Sequence, residues 1–368
     1  MADPSATVVS ERVKGYVSQK LLPTLADGIF SGNVLMFRIL NNTSAWTGGI
    51  QMVRSMVWKV STLGSSFALA ETFSTTAEDT TIRLAFDKKN YAQPVTVFGA
   101  EVAHVNSDRD SIQLVTNKLQ EAKMNMAQNV GNMFYGDGTG NSSKDFNGTA
   151  NIVDDGTNSP TYGGQTRATY GDALDAQLAT AVGTLDLDHI ASQYDAASGT
   201  GAGMTMPTIM VTTKSIYSGI ESLLTPTLSH SYVPMMAIPA SRVYSKGPAR
   251  NMTDKEAMHG NFGFPSMAFR GVPIVADDLC PSGELIGLNE NELTFYVVRD
   301  KNLKSIPTGM NTFEGSTYNE TPEMSPVQFR GWMPLTAQYG ETCQLILQGQ
   351  LISWNPRRHF RSTGITGV

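Results

Sequence analysis

Charge is scarce in this sequence. Only 16 % of its 368 residues are Asp, Glu, Lys or Arg, where soluble domains carry about 25 %. The net charge of −6 gives no basis for strong, sequence-independent affinity for nucleic acid. Cysteine is nearly absent. Cys280 and Cys343 stand far apart, which excludes a disulfide framework and any zinc-type spacing, and makes a reducing compartment the default. No apolar run reaches membrane-span length, and the first twenty residues lack the apolar centre of a signal peptide. Five histidines (His104, His189, His230, His259, His359) include no pair at ligand spacing. No serine occupies a G-x-S-x-G frame. Low charge with 34 glycines fits two descriptions: a chain that hides its surface against copies of itself, or a secreted β-rich protein.

What is present is architecture. The length allows two or three domains. The clearest element runs from Ser107 to Tyr135, with Ile112, Val115, Leu119, Ala122, Met126, Val130 and Met133 spaced for one helix face. Ser107 or Asp108 can cap it. At about 1.5 Å per residue it spans roughly 43 Å, and the glycines of GDGTGN at 136–141 stop it. Its single modest apolar stripe calls for a thin partner layer.

Before this helix, residues 1–47 form a polar arm and an apolar patch, with a short helix expected over 33–40. Residues 1–60 hold six basic side chains against three acidic ones. This fits a solvated arm and an arm touching an acidic neighbour equally well. Residues 50–61 and 81–88 read as strands joined by a long Gly-, Ser- and Thr-rich tip. In the second, Ile82, Leu84 and Phe86 alternate with Thr81, Arg83 and Ala85. Isolated two-stranded hairpins are marginal in water. Nothing in the same chain offers itself as a support, so a neighbouring subunit is expected to provide it. Pro94 marks 91–105 as an edge or a bend.

After the long helix, 136–170 reads as loop and 172–196 as short helical pieces. Residues 206–213 and 214–224 form a strand-helix unit. Further strands are expected at 269–278, 293–300 and 343–355. The chain closes near PRRHFR at 356–361. That cluster fits contact with nucleic acid or acidic side chains and a solvated tail equally.

Chemistry finds no support. GDGTGNSSKD lacks the Lys-Ser/Thr of a phosphate loop and follows a helix instead of a strand. The doublets Asp154-Asp155 and Asp277-Asp278 suit turns better than a cation site. No catalytic, cofactor-binding or metal-binding residue is expected, and no cofactor.

The order of elements resembles the major capsid proteins of tailed bacteriophages, with their Hong Kong 97-type α+β fold. AWTGGIQMVRSMVW with LGSSFALAETFSTT is similar to the first half of that family's extended loop. TIRLAFDKKNYAQPVTVFGAEV is similar to its return strand, and DSIQLVTNKLQEAKMNMAQNVGNMFYGDGTGNSSKDFNGTANIVDDG to the spine helix and following loop. TYGGQTRATYGDAL resembles the approach to the axial domain, and FRGVPIVADDLCPSGELIGLNENEL a late strand pair within it. Together these stretches cover most of residues 45–300.

The resemblance implies an N-terminal arm at 1–47, an extended loop at 48–90 and a peripheral domain with the spine helix at 91–165. It implies an axial domain at 166–300 and a return to the peripheral domain at 301–368. It implies a non-enzymatic coat protein that self-assembles into pentamers and hexamers of an icosahedral shell around double-stranded viral DNA, without sequence-specific binding. An encapsulin-like nanocompartment is the alternative. Implied partners are further copies, scaffolding and portal proteins, and decoration proteins. The implied location is the virion capsid, after synthesis in the host bacterial cytoplasm, with no membrane. Thr62 to Thr80 contains no lysine, so the covalent cross-linking of some family members is not expected. Arm-like sequence comes almost at once, so a separate scaffolding protein is.

Overall fold

A computed structural model describes residues 13–14, 33–46, 48–67, 69, 76–104, 108–199, 206–224, 266–298, 304–307, 324–336 and 338–368. The expected arm before residue 33 therefore lies almost wholly outside the described residues, as do His230 and His259.

The long helix, α3 (Asp108–Tyr135), is where periodicity places it. Val115, Leu119, Ala122, Met126 and Val130 are buried along one face. At the C-terminal end Phe134 is fully buried while Met133 is half-buried, so the stripe drifts by one residue. The proposed cap Ser107 lies outside the described residues.

The partner layer is a six-stranded sheet built on β16 (Gly340–Ser353). Cys343, Leu345 and Leu347 point into the core at period two. One flank of β16 takes β15 (Met324–Pro334), then β14 (Lys304–Pro307). The other takes β4 (Lys89–Phe98) over residues 340–349 and β13 (Leu293–Val297) over 349–353. Among the described residues β4 pairs only with β16, which accommodates Pro94 at an edge. After β4 come α2 (Gly99–Ala103) and then α3.

The short helix expected at 33–40 is α1 (Val34–Asn41). It packs on α3, and β1 (Thr43–Ala45) pairs in parallel with β13. Residues 33–46, expected in the arm, are thus built into their own subunit. So are Val13, which is buried, and Lys14, whose Nζ lies 3.3 Å from Glu341. The N-terminus of α1 is held from a distance: the Leu35 N–H donates to the buried Asp277 carboxylate at 3.1 Å.

A second six-stranded sheet, in the order β10-β11-β9-β12-β17-β7, forms the other unit. Its central strands β9 (Ile209–Thr212), β11 (Val272–Ala276) and β12 (Leu285–Leu288) bury nearly every residue. Two helices pack on it, α5 (Leu187–Ala197) and α6 (Lys214–Leu224), while α4 (Arg167–Leu174) lies against residues 161–166 and 356–358. The single strand expected at 269–278 is instead a hairpin. β10 (Ser266–Phe269) turns into β11 through Arg270 and Gly271, with φ of 50° and 82°.

The sheets also divide the chain differently from the expected 166–300 and 301–368 split. Residues 293–297 lie in the β16 sheet. β17 (Phe360–Ser362) and β18 (Ile365–Gly367) return to the second unit, pairing with β7 (Gln177–Ala179) and β8 (Gly183–Thr184).

Candidate assembly surface

The hairpin of β2 (Gln51–Val57) and β3 (Thr81–Asp87) forms a sheet of its own. Its register places Met52, Arg54 and Met56 opposite Phe86, Leu84 and Ile82, so these six share one face. That face is seated on the same subunit, and the expected dependence on a neighbour is corrected here. Phe86 meets Tyr162 at 5.1 Å and Trp354 at 5.8 Å between ring centroids, both edge-on. The Arg54 guanidinium lies 5.0 Å over Trp354, and Trp58 meets Tyr170 at 5.2 Å. Ile82, Leu84 and Phe86 are buried.

The seat comes from the segment expected to be loop, between β5 (Thr161–Tyr162) and β6 (Gln165–Thr166). The Gly163 carbonyl accepts from the Ala85 N–H at 2.9 Å. Gly163 has φ +57°, and a Cβ there would lie 3.0 Å from Phe86 and 3.1 Å from Leu84. The Tyr162 hydroxyl donates to the Ser353 carbonyl at 2.8 Å and accepts from its N–H at 3.0 Å.

Arg167 locks the same segment. It is fully buried and donates to the carbonyls of Asp154 at 2.7 Å, Asn151 at 2.6 Å and Leu174. Burial holds its pKa below the ordinary arginine value. Asp154, also fully buried, accepts from the Gly156 and Ser159 N–H groups at 2.9 and 2.8 Å. This is the turn-building role expected of the acidic doublet.

The far end of the hairpin is different. Trp58 extends the pairing through Thr80, and Lys59 bridges to Glu78 at 2.8 Å. Glu78 also accepts from the Thr62 N–H and the Ser61 hydroxyl, and its carboxyl is held below the usual range, chiefly by Lys59. Apolar side chains face outward along this stretch: Val57, on the outer face of the ladder, is 66 % exposed, and Val60 and Phe67, past the clasp, 85 % and 67 %; Ile50, at the root end, is also 87 % exposed. Of the exposed large apolar side chains among the described residues, most lie between 50 and 69; the others are Phe98, Met124 and Tyr339. This concentration makes the hairpin a candidate interaction surface.

No family model matches the chain, and no curated relative matches it. Solved structures do. The cyanophage A-1(L) capsid asymmetric unit superimposes with a TM-score of 0.58 at 14 % identity, over 90 % of this chain and 93 % of that one. The chain has the Hong Kong 97-type capsid fold. The holo-SrpI encapsulin complex of Synechococcus elongatus PCC 7942 is also similar, at TM-score 0.49 and 11 % identity over 90 % of this chain and 87 % of that one. So is Mycobacterium phage Bobi, at 0.46 and 11 % over 90 % and 91 %.

On this capsid fold the other sequence-marked groups take structural places. PRRHFR is neither a solvated tail nor a free basic surface. Pro356–Arg358 is a 3-10 turn leading into β17, and Arg361 forms a two-point ion pair with Glu284 at 2.6 and 2.9 Å. His359 is fully buried. Its Nδ1 accepts from the Asn289 N–H at 3.0 Å, which leaves the Nε2 proton for the Ser353 hydroxyl at 2.8 Å. Burial pushes its pKa down to about 3. His189 contacts Ser362 at 3.1 Å, and His104 is exposed at the end of α2.

GDGTGN is a helix stop, with Asp137 accepting from the Thr139 N–H at 3.0 Å. After it Asn141, Ser142 and Ser143 form a left-handed turn, and Lys89 donates to the Ser143 carbonyl. Among the described residues no three His, Cys, Asp or Glu side chains gather as a metal site, and no helix is long and apolar enough to cross a membrane.

Proposed function

We propose that this chain is a major capsid protein whose copies build a closed shell around packaged double-stranded DNA. The observation that carries the reading is the hairpin: on a capsid fold, its root is buried in its own subunit while its tip presents apolar side chains to solvent. A side chain such as Val57 is left to be covered by another copy, and burial there stabilises association by about 25 cal/mol per Å². Weak contacts repeated by symmetry then add up to a stable shell.

In this reading residues 48–90 are the extended loop lying on the next subunit. The unit around β16 and α3 is the peripheral domain, and the unit around β9 is the axial domain at the centres of pentamers and hexamers. The role is structural, not catalytic, and the location is the virion. Scaffolding and portal proteins direct assembly, and decoration proteins are further candidate partners. The shell holds through interlocked contacts without covalent cross-links, because residues 62–80 lack lysine. Lys59 and Lys89 are engaged within the subunit. DNA is enclosed without sequence-specific recognition, as the modest net charge permits.

The test is to express the chain with its neighbouring genes, purify particles and analyse their contents. Closed shells holding nuclease-protected DNA support the reading. Shells filled with one cargo enzyme would replace it with an encapsulin-like compartment, and ligated multimers on denaturing gels would overturn the absence of cross-links.

A further inference from the structure

β4 is an edge strand that carries little protection of its own. Among the described residues no strand pairs with its second edge. At about 3.3 Å per residue it is some 33 Å long. Tyr91, Val95, Thr96, Val97 and Phe98 favour the extended chain, and residues 90–100 contain no charged side chain. An exposed edge of this length and composition is a template for pairing with another chain.

The ladder fixes which backbone groups face that edge. β4 and β16 pair antiparallel with Val97 opposite Glu341, and the Gly99 N–H continues the pairing by donating to the Tyr339 carbonyl at 2.9 Å. Alternation then turns the odd-numbered residues of β4 toward β16. The even-numbered ones, Asn90, Ala92, Pro94, Thr96 and Phe98, turn their N–H and C=O groups to the open side.

Pro94, Thr96 and Phe98 are closed there, each in a different way. Pro94 has no N–H to offer. The Thr96 carbonyl accepts from Lys118 Nζ at 3.0 Å. The Phe98 N–H donates to the Glu101 carboxylate at 3.1 Å. Lys118 and Glu101 are themselves paired at 2.5 Å, and Lys118 is the main cause holding the Glu101 carboxyl below the usual range. Lys118 belongs to α3, which runs back along β4: further on, Asn129 donates to the Tyr91 hydroxyl at 3.1 Å. Only Asn90 and Ala92 keep both backbone groups open, a stretch shorter than the roughly 3–10 residues of an ordinary strand.

We infer that Pro94, Lys118 and Glu101 form a guard that keeps this edge from pairing with an extended segment of another copy, leaving association to other surfaces. The charges come from α2 and α3 because the strand has none between residues 90 and 98. The guard is a property of the single subunit. It rests on the shell-forming reading only for its consequence, that copies are not diverted from shells into edge-paired aggregates.

Pro94→Val restores the missing donor, and Lys118→Met releases the Thr96 carbonyl. The test compares them, singly and together, on the purified unassembled subunit. The double variant is expected to sediment as thioflavin-binding assemblies at least tenfold faster than wild type, with the amides of Asn90, Ala92 and Thr96 newly protected from hydrogen exchange. Lys118→Arg, which keeps a donor at the Thr96 carbonyl, is expected to behave as wild type. Where the double variant melts early, Pro94→Val alone decides, because Pro94 is exposed and its replacement touches no core; it should also associate faster at an unchanged melting temperature. A double variant that stays dispersed as long as wild type would overturn the inference. So would assemblies in which those three amides exchange as they do in the free subunit, or a Lys118→Arg chain that aggregates like Lys118→Met. None of these outcomes depends on shells: absence of particles from the wild-type chain would end the shell reading and leave the guard standing.

Discussion

The two ends of one hairpin follow opposite rules. At the root, Ile82, Leu84 and Phe86 are as buried as any core residue, and Phe86 packs edge-on against Tyr162 and Trp354 of its own chain. On the outward face where the ladder ends, and past it, Val57, Val60 and Phe67 stand in solvent. The strand pairing between them is continuous. A two-stranded ribbon is weak alone, so one anchored end lets the other project without unfolding. The root therefore belongs to the stability of the subunit, and the tip to its association.

Substitutions can separate these roles. Phe86→Ala removes a ring from between Tyr162 and Trp354 and is expected to cost the isolated subunit about 3–5 kcal/mol, seen as a lower urea midpoint. Acid should loosen the same root. Neutral His359 binds Ser353, whose backbone holds Tyr162. Its pKa is depressed when folded, from 6.5 to about 3. Its contribution is thus complete above pH 6.5 and is lost as pH falls from there toward 3, by on the order of a few kcal/mol. Denaturant titrations at stepped pH should show that slope, flattened in His359→Gln.

Gly163→Ala places a methyl group against Phe86 in a left-handed backbone and is expected to cost about 1–3 kcal/mol, read as a drop in melting temperature. Val57→Ser, on the outward face where the ladder ends, should change subunit stability by less than about 0.5 kcal/mol and act on assembly instead, visible as a higher protein concentration needed for shells to form. A large loss of subunit stability from Val57→Ser would erase the distinction between root and tip.

Much of the fold is legible locally. The period of α3, the alternation of Ile82, Leu84 and Phe86, and the unit at 206–224 all express one face meeting one core. The order of these elements carried the capsid resemblance. The seat of the hairpin was not legible, because Tyr162, Tyr170 and Trp354 are distant in sequence and no periodicity links them to Phe86. Arg167 looks like an ordinary polar loop residue until four backbone carbonyls converge on it. PRRHFR reads as free charge because Glu284, which neutralises Arg361, lies 77 residues away. The turn at Arg270-Gly271 did leave a signal, a glycine between two apolar runs.

The most direct measurement is negative-stain electron microscopy of the chain made with and without its neighbouring genes, beside a Val57→Asp, Leu63→Asp variant made in the same way. The expected result is closed icosahedral shells or capsomer rings from the wild-type chain, and folded, unassembled subunits from the variant. A uniform wild-type monomer or dimer under both conditions, or a variant that assembles as well as the wild type, would contradict the division of this hairpin into an anchored root and an associating tip.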